Sequence, residues 1–116
     1  HRRPAALVVG DLTLDPATRG VTRQGQEIAL TRTEFSLLEY FMRNPRKLLT
    51  RTMISESVWD MNYESSSNVI DVYVSALRRK VDRDRKPPRI ETVIGSGYRF
   101  VEHAEPSESG RPVGPS

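Results

Sequence analysis

Ser66-Ser67-Asn68-Val69-Ile70-Asp71-Val72-Tyr73-Val74-Ser75-Ala76-Leu77-Arg78-Arg79-Lys80-Val81-Asp82 is the stretch whose reading decides the fold. Ile70, Val74, Leu77 and Val81 recur at steps of four, three and four, which is the apolar stripe of one helix face. At about 100° per residue, the opposite arc holds Ser65, Asn68, Val72, Ser75, Ala76, Arg79 and Arg83, with Tyr73 and Arg78 on its flanks. This outer face carries cations, small residues, an amide and a valine, but no carboxylate. A face that is only solvated usually carries both signs of charge. Small residues let a helix lie close against a surface, arginines suit phosphates, and Asn and Val can meet base edges or a thymine methyl. The plainer alternative is an amphipathic core helix with some basic residues. A helix of ~17 residues would span about 25 Å, enough to cross a major groove.

Charge supports a polyanionic partner for this stretch. The 116 residues carry a formal net charge of +3, and the excess is unevenly spread. Residues 1–65 balance at +1, residues 66–101 at +4 and residues 102–116 at −2. The positive charge is therefore concentrated around the helix at 66–82, as a nucleic-acid reader requires. The length suits one domain. The chain has no cysteine, so neither a disulfide framework nor a thiolate metal site is available, and a cytosolic setting is permitted. No apolar run approaches membrane-spanning length and no signal-peptide pattern opens the chain, so no membrane partner is expected. The first residue is His, which suggests a piece of a longer protein.

Outward from the helix, both flanks read as sheet. Residues 1–6 are polar and turn-prone, like the end of an interdomain linker. Leu7-Val8-Val9, Leu12 and Leu14, Val21-Thr22-Arg23 and Glu27-Ile28-Ala29-Leu30 are short runs divided by turn signals, and predict a four-stranded antiparallel meander. Such a small sheet needs one face covered. Thr31-Arg32-Thr33-Glu34 has the spacing of a capping box, and Phe35, Leu38, Phe41 and Met42 mark the apolar face of the helix that follows. Asn44-Pro45 stops it. Thr50 can cap a second helix through Met53, Ile54, Val58 and Trp59, and Asp60, Met61, Asn62, Tyr63, Glu64 and Ser65 connect it to the third. Arg89-Ile90-Glu91-Thr92-Val93, the turn Gly95-Ser96-Gly97 and Tyr98-Arg99-Phe100-Val101 then form a hairpin. Residues 103–116 are Pro, Ser, Gly and Glu with almost nothing apolar, and are expected to be disordered. The order is thus α+β: a meander, three helices and a C-terminal hairpin within residues 7–102. A helix followed by a two-stranded hairpin is how a winged helix is built.

Five stretches in register carry a family resemblance. Leu30-Thr31-Arg32-Thr33-Glu34-Phe35-Ser36-Leu37-Leu38, Val58-Trp59, Asn68-Val69-Ile70-Asp71-Val72-Tyr73-Val74, Leu77-Arg78-Arg79-Lys80 and Thr92-Val93-Ile94-Gly95-Ser96-Gly97-Tyr98-Arg99-Phe100 together resemble the winged-helix DNA-binding effector domain of OmpR/PhoB-type response regulators. The resemblance implies a sequence-specific reader of double-stranded DNA. Helix 66–82 would lie in the major groove and the wing, 89–101, alongside. It also implies an N-terminal receiver domain phosphorylated by a sensor histidine kinase, and a homodimer on tandem direct-repeat sites. The loop 60–65 would touch RNA polymerase, and the setting would be the cytoplasm. Carried over by position, Asn68, Val69, Val72, Tyr73, Ser75, Ala76, Arg78 and Arg79 lie nearest DNA, and Arg83, on the outer arc of the helix, is a further candidate. Thr50, Arg51 and Trp59 are phosphate candidates, with a core role for Trp59 left open. In the wing, Thr92, Ile94, Gly95 and Arg99 are the candidates, with Arg89 as a further backbone contact. The chain departs from the family pattern where arginine is common at the positions of Ser75 and Ala76, and where Thr-Val-Arg-Gly is the usual wing and Ile94 stands here. The isoleucine either reaches DNA or packs against Tyr98 or the third helix.

Other classes fit less well. The only histidines, His1 and His103, sit at the chain ends, and no phosphate-binding glycine loop or carboxylate cluster suggests an enzyme, a cofactor or a metal. No aromatic platform for stacking RNA bases is visible. A winged helix that binds protein and not DNA is the alternative kept, because Ser75, Ala76 and Ile94 are uncharged.

Overall fold

The computed structural model describes residues 6–58, 68–83 and 88–101, with backbone only at Asn68. Residues 1–5 of the expected linker 1–6, Trp59, the loop 60–65, Ser66 and Ser67 at the expected start of the third helix, and the tail 103–116 lie outside the described residues. A four-stranded antiparallel sheet opens the chain, in the order β1 (Leu7–Val9), β2 (Leu12–Asp15), β3 (Gly20–Arg23) and β4 (Gln26–Glu27). Alternation decides its faces: Val9, Leu12, Leu14 and Val21 are buried, while Val8 points to solvent. The β3–β4 turn is Gln24-Gly25, and both residues have positive φ, 54° and 83°. That is the geometry of the two-residue hairpin turn whose twist matches the strands. It starts the last pairing at Gln26, earlier than the run Glu27 to Leu30 predicts, and leaves Ile28 free to turn into the core.

Helix α1 (Arg32–Arg43) covers this sheet. The predicted capping box is present: Glu34 N–H donates to Thr31 Oγ1 at 3.2 Å, and Thr31 N–H donates to Glu34 Oε1 at 2.9 Å. Phe35, Leu37, Leu38, Phe41 and Met42 are all buried. Leu37 widens the expected stripe because α1 is covered on more than one side, by the meander, α3 and the C-terminal sheet.

A two-residue strand, β5 (Leu48–Leu49), precedes α2 (Arg51–Val58) and is absent from the sequence expectations, since two residues show no alternation. It pairs with β7 (Gly97–Phe100), which also pairs with β6 (Ile90–Val93), so the wing belongs to a three-stranded sheet of order β5-β7-β6. This explains a glycine the sequence places in a turn. The turn itself is Ile94-Gly95-Ser96, closed by Ser96 N–H donating to Val93 O at 2.9 Å, with Gly95 at φ 79°. Gly97 lies in β7, and a Cβ there would stand 2.2 Å from Leu49 O. It is glycine because β5 approaches so closely.

Helix α3 (Asn68–Val81) lies against α1 and α2. Its stripe is as periodicity demands: Ile70, Val74, Leu77 and Val81 are buried. The Phe41 and Phe100 rings stack with centroids 6.1 Å apart, joining α1 to the C-terminal sheet.

Candidate nucleic-acid interface

Because one side of α3 is committed to the core, the other is left to solvent. Val72 is 62% exposed, Ser75, Arg79 and Arg83 are exposed, and Val69, Ala76 and Arg78 are half-buried. Tyr73 packs partly against the core, so it contributes an edge to this face and not a free ring. The helix backbone continues through Asn68, whose side chain lies outside the described residues. Ser75, Arg78, Arg79, Asp82 and Arg83 line an open groove of about 690 Å³ beside the helix. Among the described residues neither Arg78 nor Arg79 has a carboxylate partner, so their charge is available to an external anion.

The wing is attached to this face through Arg78. Its Nη2 donates to Thr92 Oγ1 at 2.9 Å, and its guanidinium lies 5.9 Å from the Tyr98 ring centroid. Arg51, at the start of α2, approaches the same ring at 5.6 Å. Arg51 Nε donates to Asp71 Oδ1 at 3.0 Å, and the Tyr98 hydroxyl donates to the same oxygen at 2.5 Å. The tyrosine hydrogen bond, with a further one from Arg51 and its charge, outweighs burial and holds the Asp71 carboxyl below its ordinary range. Burial, reinforced by Asp71, pushes the Tyr98 phenol up. Asp71 thus ties α2, α3 and β7 together with a compensated charge, and no sequence signal beyond an acidic residue in a helix's first turn marks it. Thr50 is occupied locally, its Oγ1 accepting from Met53 N–H at 3.1 Å as the predicted cap of α2.

The wing residues divide. Ile94, at the turn, is 91% exposed, which excludes its packing against Tyr98 or α3. Arg99 pairs across the hairpin with Glu91 at 3.0 Å. Arg89 overturns the expectation of a backbone contact, because it is only 3% exposed. Its Nη2 and Nε donate to Asp11 Oδ1 at 2.9 and 3.1 Å, and its Nη1 to Val101 O at 3.3 Å. Arg23, fully buried, donates from Nε to the same Asp11 oxygen at 3.0 Å, and from Nη1 to Asp82 Oδ1 at 2.8 Å and Val81 O at 3.0 Å. Asp82 in turn accepts from the Arg89 and Ile90 amides at 3.0 and 3.2 Å. This junction fastens the meander and the first wing strand to the carbonyl end of α3. Lys80 is also committed, to Glu34 at 2.7 Å.

Comparison with known proteins agrees with this geometry. Residues 25–100 match the family model described as "Transcriptional regulatory protein, C terminal". The chain is 53% identical over 98 residues to the transcriptional regulatory protein TrcR of Mycobacterium tuberculosis, covering 83% of this chain and 38% of that protein. It is 53% identical over 97 residues to the response regulator MprA of Mycobacterium avium, covering 84% and 42%. The chain therefore spans about two fifths of the length of these relatives. Among solved structures, the Klebsiella pneumoniae RstA DNA-binding domain in complex with RstA box superposes with a TM-score of 0.76 at 29% identity, over 84% of this chain and 98% of that one. The DNA-binding domain of CpxR from E. coli gives 0.75 at 33%, over 87% and 100%.

Proposed function

The chain belongs to the transcriptional regulatory protein C-terminal family, the winged-helix effector domains of OmpR/PhoB-type response regulators, and from that premise we propose that it binds double-stranded DNA sequence-specifically. In this reading α3 enters the major groove. Val69, Val72, Ser75 and Ala76 face base edges, with Tyr73 at the margin, and Asn68 is the further candidate for a base contact. Arg78, Arg79 and Arg83 meet phosphates on the flanks. Thr50 and Arg51 contribute at the start of α2, Trp59 follows that helix in sequence, and Thr92, Ile94, Gly95 and Arg99 contribute from the wing. The observation that carries the reading is the outer face of α3, where Arg79 and Arg78 stand without a carboxylate partner among the described residues, beside the exposed Val72 and Ser75. Nothing in this arrangement calls for catalysis, and the family is one of transcriptional regulators.

The wider reading extends what the resemblance of the sequence implies. The domain is the output part of a longer cytoplasmic response regulator, joined at residues 1–6 to a receiver that a sensor histidine kinase phosphorylates. Two copies occupy tandem direct repeats, and Asp60, Met61, Asn62, Tyr63, Glu64 and Ser65 reach RNA polymerase. Selection of bound sites from random duplex DNA, followed by titration of the selected duplex at several salt concentrations, tests the DNA assignment. Affinity should fall steeply with salt, since each neutralised phosphate contributes a slope of roughly −0.9 in log K against log salt. A flat salt response with no enriched sequence would instead favour the protein-binding alternative.

A further inference from the structure

The groove beside α3 is a positive site that lies close to an acidic piece of the same chain. Ser75, Arg78, Arg79, Asp82 and Arg83 line it. Its acid is turned away, because the Asp82 side chain is 8% exposed and its oxygens accept from Arg23 and from the Arg89 and Ile90 amides. What the groove presents outward is therefore cationic. Strand β7 delivers the chain to its rim. Val101 N–H donates to Arg89 O at 2.9 Å, and Arg89 N–H donates to Asp82 Oδ1 at 3.0 Å, so a short relay of hydrogen bonds joins the end of the wing to the groove wall. Residues 102–108, which follow and lie outside the described residues, hold three glutamates and no Lys or Arg. We propose that this acidic segment docks in the groove of its own domain and competes there with DNA phosphates, restraining binding to any duplex. The docking stands on the groove and the segment, while its consequence rests on the DNA assignment above.

Reach and charge both fit. Seven residues of extended chain cover about 23 Å, and α3 rises about 12 Å from Arg83 back to Ser75. Residues 102–108 can therefore run beside Arg83, Arg79 and Arg78. Glu102, Glu105 and Glu108 recur every third residue, and the extended polyproline form favoured at Pro106 would set them on one side, about 9 Å apart. No fold is needed for this. A segment too polar to build a core is still a polyanion, and its tether holds it at an effective concentration of about millimolar. Each pair is exposed, contributes little alone and is screened by salt. A ligand that brings more charge displaces the whole run, as duplex DNA does. A specific site adds base contacts that the segment cannot imitate. The −2 of residues 102–116 thereby offsets part of the +4 of residues 66–101. At the C-terminal end of α1, Arg43 is already paired with Glu39 at 2.8 Å, which leaves the α3 groove as the stronger site.

The test combines Glu102→Gln, Glu105→Gln and Glu108→Gln in the full chain. This triple variant should melt like wild type, and its backbone amide spectrum should differ from wild type along residues 75–83. It should bind the selected duplex about three- to tenfold more tightly at low salt, the scale of two or three exposed ion pairs. The gain should shrink as salt rises, so the slope of log K against log salt becomes steeper than that of wild type. Adding Arg79→Ala should reduce the gain, because one docking cation is then missing. Unchanged affinity in the triple variant would overturn the proposal. So would a gain that Arg79→Ala leaves intact, which is what repulsion of DNA by net charge alone predicts, or an amide spectrum unaltered along α3. The DNA assignment fails separately: no duplex would be bound, while the amide changes along α3 would still report the docking.

Discussion

Two sets of arginines meet α3, and they differ in what surrounds them. Arg23 and Arg89 gather at its carbonyl end, buried, with Asp11 and Asp82 between them. Arg78 and Arg79 stand on its outer side with no carboxylate partner among the described residues. A guanidinium taken out of water is tolerated only when its charge and its donors are matched, and the first set meets that condition with carboxylates and the Val81 and Val101 carbonyls. The second set leaves its charge unmatched, which suits an external anion. The local count of positive charge therefore overstates what a partner can use. Arg89 contributes to the excess of residues 66–101 but is neutralised inside the domain.

The comparison is broken most severely at Arg23. Arg23→Ala removes the link from the meander to α3 and leaves Asp82 with one cation fewer in a buried site. It should destabilise the domain by about 3–5 kcal/mol, read as a shift in the urea midpoint, and DNA affinity should fall only as far as the folded fraction does. A variant that melts like wild type would show the junction to be dispensable.

Asp11→Asn should come next, at about 2 kcal/mol at neutral pH, the range of hydrogen bonds to a charged group. Its pH dependence sharpens the assignment. Burial pushes the Asp11 carboxyl up, but hydrogen bonds from Gln24 and Arg89 and the charges of Arg23 and Arg89 outweigh it, so the folded value lies below the ordinary one. A depressed carboxyl contributes its stability fully above the unfolded pKa of about 3.9, and loses it as pH falls through the folded value. Denaturation curves of wild type and Asp11→Asn should therefore converge on acidification below about pH 4. A gap that stays constant would assign the loss to packing and not to charge.

The smallest effect on the fold is expected at Arg79. Arg79→Ala should leave stability within about 0.5 kcal/mol, yet weaken binding to the selected duplex by about 1–3 kcal/mol and lower the salt slope by roughly one. Arg78→Ala is a less clean probe, because it also releases Thr92 and the Tyr98 ring. Unchanged affinity in a folded Arg79→Ala would move the groove-facing side of α3 elsewhere.

Local pattern determined much of this protein. The meander, the capping box on α1, the Thr50 cap and the buried stripe of α3 all depend on neighbours within a few residues, where period and turn chemistry are written directly into the chain. The exposed arc of α3 was legible for the same reason: a stripe that is buried names its own opposite side. Tertiary structure decided whatever depended on residues far apart. Asp11 and Arg89 are 78 positions apart, so only the fold reveals that Arg89 is a buried partner and not a phosphate contact. The strand β5 exists because β7 offers it a ladder, and Gly97 is required by the carbonyl of Leu49. Asp71 looks like any acid in a first helical turn until Arg51 and Tyr98 are brought to it. Ile94 could equally have been a core residue by composition. Its exposure was settled by where the wing sheet ends, which no short-range pattern encodes.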